Sequence, residues 1–231
     1  MSRAVAINGS PRMQNGNTAL ILDAFIQGMR DAGTEVDLIY ANRVKAQACT
    51  GELHCWLKHP GECYIRDEMQ ELYPALRATQ LLVLATPVYI PLPGEMQNLI
   101  NRLCPLLEPV LETREGRTRG RLRQGVAIES VALVSTCGWW ELENFDTVVR
   151  IAEEFAADAG VPFAGAVLRP HAPVMRPGGK VTAEGQAILD AVRTAGGQLA
   201  TAGAMDEQTL AAIRRPLLPQ EDYRRRLNAL G

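Results

Sequence analysis

Apolar positions along the chain fall into blocks that switch between two periods. Residues 3–8 (Arg-Ala-Val-Ala-Ile-Asn) form a short, mostly apolar run that ends at Gly9. Leu20, Ile21, Ala24, Phe25 and Gly28 then recur at helical spacing within 18–32, and Gly33 supplies a stop. Residues 34–40 alternate and predict a second strand. The stretch 41–66 reads as loop, and 67–79 opens with Asp67 and Glu68 and takes up helical periodicity. Leu81–Ala85 is a continuous apolar run stopped by Pro87, the pattern of a central parallel strand buried on both faces. A helix is predicted from near Gly94 to about Leu107, a buried strand at Val131–Val134, an amphipathic helix over 145–159, a fifth strand at Ala164–Leu168 and a fifth helix over 183–202. Strands separated by helices predict an α/β fold: an open, doubly wound parallel sheet of five strands with right-handed crossovers. Two stretches fall outside the pattern. Residues 112–125 are basic, Gly-rich and without periodicity, and 205–231 form a tail with a basic last segment around Tyr223–Arg226, of a kind that packs on a partner subunit. No repeat or low-complexity linker divides the chain. The expected organisation is one domain over 1–204, with the cysteine-containing loop 45–66 inserted in it, followed by the helical tail 205–231.

Composition narrows the role. The chain has 231 residues, 47% of them apolar. A compact chain of this size buries roughly 70% of its unfolded surface and needs no staples. Lys plus Arg is 24 against 26 for Asp plus Glu, a net charge of −2 that argues against nucleic-acid binding as the main task. No apolar run reaches the roughly 18 residues that span a bilayer. Met1-Ser2-Arg3 leads directly into the first apolar run, without the flank, long apolar stretch and cleavage site of a signal peptide. The expectation is a soluble, cytoplasmic protein that binds neither membrane nor nucleic acid. Of five cysteines, Cys49, Cys55 and Cys63 cluster, which in a reducing compartment points to metal or redox chemistry before a disulfide. Cys104, beside Leu103 in a predicted helix, reads as packing.

In an open parallel sheet ligands sit beyond the carboxyl ends of the strands. After the first strand comes Asn8-Gly9-Ser10-Pro11-Arg12-Met13-Gln14-Asn15-Gly16-Asn17-Thr18 and then a helix. Free N–H groups and the positive dipole end of that helix favour an anion, with Ser10, Asn17 and Thr18 as added donors and Arg12 as countercharge. The site suits a phosphate monoester, and an ordinary polar turn capped by Asn17 or Thr18 is the alternative. After the third strand, Thr86-Pro87-Val88-Tyr89-Ile90-Pro91 is held stiff by prolines and offers the flat face of Tyr89. After the fourth, Ser135-Thr136-Cys137-Gly138 precedes adjacent tryptophans, Trp139 and Trp140, in a chain only 5% aromatic. Packing and subunit contact are the common uses of such residues. One phosphate cradle and two flat apolar walls on the same sheet edge fit FMN.

The ordered set Gly9-Ser10-Pro11-Arg12, Gly16-Asn17-Thr18, Thr86-Pro87-Val88-Tyr89, Asn101-Arg102 and Ser135-Thr136-Cys137-Gly138 resembles the NADPH-dependent FMN reductase and iron–sulfur flavoprotein branch of the flavodoxin-like superfamily. The resemblance covers most of residues 3–170. It implies a sheet in the order 2-1-3-4-5, bound FMN, reduction by NADH or NADPH, and a homodimer or homotetramer. The residues matching Ser10–Thr18 would hold the phosphate, and those matching Pro87, Val88, Tyr89, Ile90, Ser135, Thr136, Cys137 and Gly138 would border the ring. The segment Cys49 to Cys63, followed by Asp67-Glu68-Met69, is similar to the compact four-cysteine motif of the iron–sulfur flavoproteins, but its second position is Glu52. A [4Fe–4S] cluster normally takes four thiolates. The open alternatives are therefore a loop of free thiols, a cluster on Cys49, Cys55 and Cys63 with an oxygen or no fourth ligand, or zinc completed by His54 or His59.

The functional expectation is an FMN-dependent NAD(P)H oxidoreductase in which the cofactor carries the hydride chemistry and no side chain acts as acid or base, the acceptor being a quinone, a flavin or another small molecule. Backbone N–H groups near Pro87–Tyr89 or Thr136–Trp139 would face the reduced ring. The arginines at 114, 117, 119, 121 and 123 suit a solvated or subunit-facing loop, with the extra phosphate of NADPH as the second reading. Two alternatives stand beside this. One is an iron–sulfur flavoprotein carrying electrons for a ferredoxin-like partner. The other is a hydrolase with Cys137 as nucleophile and His171 as base.

Overall fold

A computed structural model describes residues 2–229. Its elements run β1 (Arg3–Asn8), α1 (Asn17–Asp31), β2 (Glu35–Tyr40), α2 (His54–Leu57), α3 (Met69–Ala78), β3 (Leu81–Pro87), α4 (Gly94–Asn101), β4 (Leu107–Arg114), β5 (Arg117–Leu122), β6 (Ser130–Thr136), α5 (Asp146–Ala159), β7 (Phe163–Arg169), α6 (Ala183–Ala202), α7 (Glu207–Arg214) and α8 (Gln220–Asn228). Five of the strands form one all-parallel sheet in the order β2-β1-β3-β6-β7. In the numbering of the sheet strands alone this is the expected 2-1-3-4-5. The central strands β1, β3 and β6 are buried on both faces, as near-continuous apolar runs require. On one face Val5, Ile7, Leu82, Leu84 and Leu133 pack under α3, α4 and α5; on the other Ala4, Ala6, Val83 and Val134 pack under α1 and α6. Gly28 of α1 and Gly196 of α6 let those two backbones approach so closely that a Cβ on either would fall inside contact distance of the other helix's carbonyl oxygen.

The register fixes where the loops emerge. Asn8 lies opposite both Tyr40 and Ala85, and Thr136 lies opposite both Pro87 and Arg169. The segments that follow β1, β3, β6 and β7 therefore leave the sheet along one rim.

Two expectations are corrected. Residues 112–125 are not loop: β4 and β5 form an antiparallel ribbon joined at Glu115-Gly116, both with positive φ (51° and 72°), the backbone of a tight hairpin turn. The alternation in 117–122 is one of arginines (Arg117, Arg119, Arg121), which an apolar pattern does not register. The helix expected to run to Leu107 stops at Asn101, and Cys104–Leu106 forms a separate 3-10 turn. Pro105 disfavours helical geometry at Cys104. The tail holds two helices: Leu210 and Ile213 of α7 are buried against α6 and β7, and Tyr223 of α8 is buried beside His171 and Gly138. No helix among the described residues is long and apolar enough to cross a membrane.

Candidate functional site

The first rim segment is built by short-range hydrogen bonds. The buried Asn8 side chain accepts from Ser10 N through Oδ1 (2.9 Å), and Ser10 Oγ accepts from Arg12 N (3.3 Å). A one-turn 3-10 helix at Met13–Asn15 leads to Gly16, the N-cap of α1, which supplies no side-chain cap. The N–H groups of the first turn thus point into an open cleft. A Cβ at Gly16 would stand 2.7 Å from Ser10 Oγ, so any side chain there would fill the cradle. The cleft, ≈ 180 Å³, is lined on this side by Ser10, Arg12, Asn17 and Thr18. Thr18 is buried and its hydroxyl meets that of Thr136 (2.8 Å), tying the helix start to the end of β6.

The opposite side of the cleft is Pro87, Val88, Tyr89, Thr136, Cys137 and Gly138. Tyr89 (52% exposed), Ile90 (101%) and Trp139 (59%) present flat or branched apolar surface to solvent at this rim. Their loops are stitched together: Val88 N donates to Thr136 O (2.8 Å), Cys137 N to Arg169 O (3.0 Å), and Ser135 Oγ to Thr86 O (2.8 Å). Several N–H groups expected to face a bound ring are spent in this stitching. Val88 N and Cys137 N are among them, Tyr89 N donates to Pro91 O, and Trp139 N donates to Cys137 Sγ. Ser135 is fully buried beneath the rim and supports Thr86 instead of lining the cleft.

Arg176 was not legible as a site residue. It follows a 3-10 turn at Ala172–Met175 after β7, and it donates to Asn17 Oδ1 (2.7 Å) and to Asn15 O (2.7 Å). Nothing in its sequence neighbourhood marks it, because its partners lie some 160 positions away.

Cys137 and His171 do not form a nucleophile–base pair. Burial pushes the Cys137 thiol up, the reverse of what an attacking thiolate needs. His171 Nε2 accepts from Arg169 Nη2 (2.8 Å) and Leu217 N (3.3 Å), and its ring stacks on Trp140 (5.9 Å). Arg169 is fully buried and meets no carboxylate among the described residues; it caps the end of α7 through Ile213 O (2.8 Å) and Arg215 O (2.9 Å). Tyr223 of α8 donates to Gly138 O, and Trp140 Nε1 to Leu218 O (3.3 Å), so the tail is latched under the 137–140 loop.

The cysteine segment is anchored from below. Arg102, fully buried, makes a bidentate pair with Asp67 (2.7 and 2.9 Å) and a bond to Gln47 O (2.8 Å). Cys49 is exposed while Cys55 and Cys63 are buried, and the carboxylate of Glu52 takes the Thr50 hydroxyl. Among the described residues no group of three or more His, Cys, Asp and Glu side chains is placed to hold a metal ion. Burial raises the thiols of both Cys55 and Cys104, Cys104 to about 12.

A larger hollow, ≈ 720 Å³, lies between the β4–β5 ribbon and α5. Its arginines are committed. Arg114 reaches Ala157 O (2.7 Å) at the end of α5, Arg117 pairs with Glu154 (2.9 Å), and Arg119 with Glu154 (2.6 Å) and Asp158 (3.2 Å). Arg121 pairs with Glu108, and Arg123 reaches Leu107 O (3.1 Å). Of these five arginines, Arg114, Arg117 and Arg119 line the hollow, and all five are engaged with carboxylates or carbonyl oxygens of the same chain.

The model of the family described as NADPH-dependent FMN reductase matches residues 2–139, which include β1, β3, β6 and three rim segments. An iron-sulfur flavoprotein of Archaeoglobus fulgidus is 36% identical over 104 residues, 45% of this chain and 46% of that protein. The chain spans about half the length of the curated relatives it matches. Among solved structures, an FMN-dependent NADH-azoreductase of Bacillus anthracis in complex with FMN superposes with a TM-score of 0.60 at 14% identity, covering 87% of this chain and 100% of that one. An NAD(P)H:quinone oxidoreductase of Methanothermobacter marburgensis gives 0.56 at 15% identity, over 86% and 96%. At such identities these two speak for the fold.

Proposed function

The chain belongs to the NADPH-dependent FMN reductase family, and on that premise we propose that it is an FMN-dependent oxidoreductase passing electrons from NADH or NADPH to a quinone, a flavin or another small acceptor. The observation that carries the reading is the convergence of a donor-lined cradle and two exposed apolar walls on one 180 Å³ cleft. The donor set fits the group: the uncapped first turn of α1, Ser10, Asn17 and Thr18 offer hydrogen to a phosphate, and Arg12 adds charge. Bound there, FMN supplies two-electron chemistry between a nicotinamide and an acceptor.

The chain's own residues then bind, orient and expose. Thr18–Thr136 holds the cradle against the wall loops, so a shift in one is felt by the other. Tyr89, Ile90 and Trp139 keep the ring side open to a second planar molecule, because their apolar surface faces solvent. Val88, Cys137 and Gly138 shape the wall. Neither Cys137 nor His171 is set up as an acid or base here: burial pushes the Cys137 thiol up, and His171 is committed to the tail. In the same reading residues 1–204 form the flavin domain, the tail 205–231 supports a homodimer or homotetramer, and the protein works in the cytoplasm.

The test is a visible spectrum of the purified protein with steady-state turnover. Flavin bands near-stoichiometric with protein, and oxidation of NADH or NADPH coupled to quinone reduction, are expected. Protein that stays colourless in excess FMN sinks the cofactor reading. Flavin without nicotinamide turnover, accompanied by a broad iron–sulfur shoulder, favours the electron-carrier alternative.

A further inference from the structure

We infer that Arg176, supplied by the segment after β7 and outside the part of the chain that matches the family, is a positioning residue for the anion cradle: it fixes the orientation of Asn17 and lends positive charge at the start of α1. The inference rests on the cofactor reading above and names the residue that gives that site its preference for a phosphorylated flavin.

Three observations meet at this residue. Arg176 Nε donates to Asn17 Oδ1 (2.7 Å) and Nη2 to Asn15 O (2.7 Å), so two points of the loop before α1 are held by one guanidinium. A guanidinium only donates. It therefore claims the oxygen of the Asn17 amide and leaves the NH₂ end as the free one, and Asn17 lines the cleft. A cradle whose remaining groups are N–H and O–H donors receives an anion and repels a cation. Second, Arg176 has no carboxylate partner among the described residues, whereas most arginines of this chain that reach another side chain are paired with Asp or Glu. Its charge is not neutralised locally, and it adds to the positive end of the α1 dipole. Third, the guanidinium is carried on rigid backbone. Met175 beside it is fully buried, Arg176 N donates to Pro173 O (3.3 Å), Thr182 N to Met175 O (2.9 Å), and Gly185 passes so close to Met175 O that a Cβ there would stand 2.6 Å away. A half-buried arginine on such a mount is preorganised, which reduces what is lost in ordering on binding.

The consequence is a division of labour. The Ser10–Thr18 loop shapes the cradle, and a residue 159 positions after Asn17 decides which way its amide faces. Removing the guanidinium should free Asn17 to rotate and strip a charge from the site, which penalises a phosphorylated flavin and leaves the bare ring contacts intact.

The experiment is a fluorescence titration of the flavin-stripped full chain with FMN and with riboflavin, which has the same ring and no phosphate. Thermal midpoints of each apo variant run alongside. In Arg176→Ala the ratio of riboflavin Kd to FMN Kd should fall at least about fivefold, on the order of 1 kcal/mol of phosphate discrimination. Arg176→Gln should behave alike and carries the test if the alanine variant fails to fold. Arg176→Lys should restore part of the ratio. A fall smaller than fivefold in both variants overturns the inference, including the case in which both flavins weaken in parallel, as they would if Arg176 only braced the fold. A wild-type chain that binds neither flavin, or FMN no better than riboflavin, instead overturns the cofactor reading itself.

Discussion

Asp67→Asn tests the anchor beneath the cysteine segment. The Asp67 carboxylate accepts from both Arg102 Nη groups (2.7 and 2.9 Å), from Gln47 N (2.8 Å) and from Met69 N (3.1 Å). Arg102 is wholly buried and Asp67 nearly so. Asparagine keeps the shape but loses the charge, and its NH₂ end must face donors of Arg102 or Gln47. Removing one partner of a buried pair leaves an uncompensated charge and costs roughly 3–5 kcal/mol. The retained Asn oxygen keeps at most one of the Arg102 bonds, worth about 1 kcal/mol, so the loss dominates. In a chain of this size the net loss of about 2–4 kcal/mol should lower the thermal midpoint by about 4–16 °C. The pH dependence supplies the second reading. Burial acts to raise the Asp67 carboxyl, but Arg102 and the two backbone N–H groups outweigh it and hold it below its ordinary range. The folded value therefore lies below the unfolded one. The pair's contribution is fully present above the unfolded value of about 3.9 and is lost as pH falls through the folded value. Urea unfolding of wild type and Asp67→Asn should show a constant gap from pH 7 to 5 that narrows below about pH 4. A gap under about 1 kcal/mol at pH 7, or one that does not narrow in acid, would refute the reasoning.

Two further outcomes are expected. Burial, then the charge of Arg169, pushes His171 down to about 4. Its folded value thus lies below the unfolded value of about 6.5, and wild-type stability should be intact above that pH and decline by about 3 kcal/mol between pH 6.5 and 4. In His171→Gln, which keeps an acceptor for Arg169, the slope of urea-derived stability against pH should flatten across that window; an unchanged slope counts against it. Gly28→Ala would gain up to about 1 kcal/mol of helix propensity, but its Cβ would meet the Arg193 carbonyl on a facing backbone that has no room to retreat. Overpacking of this kind costs about 1–3 kcal/mol or more, so calorimetry should find the variant several degrees less stable, while Gly94→Ala, with nothing within 4 Å, should be neutral. Equal midpoints for Gly28→Ala and wild type would contradict the packing.

Much of this protein was legible in its sequence because the relevant physics is local. Doubly buried strands must be apolar on both faces, which is why Val5–Ile7, Leu82–Leu84 and Val131–Val134 stand out and why the sheet and its rim follow. The cradle residues Ser10, Asn17 and Thr18 are adjacent to a strand end and a helix start, so periodicity alone places them. The ribbon was missed because its alternating residues are arginines, stabilised by Glu154 and Asp158 of a helix some 35 positions later. Only the tertiary structure could pair Arg176 with Asn17 or Thr18 with Thr136, and only it could commit His171 to the tail. Hydrogen bonds and ion pairs of that range depend on chain crossovers that bring distant segments to one sheet edge, and no local pattern records which of them will meet.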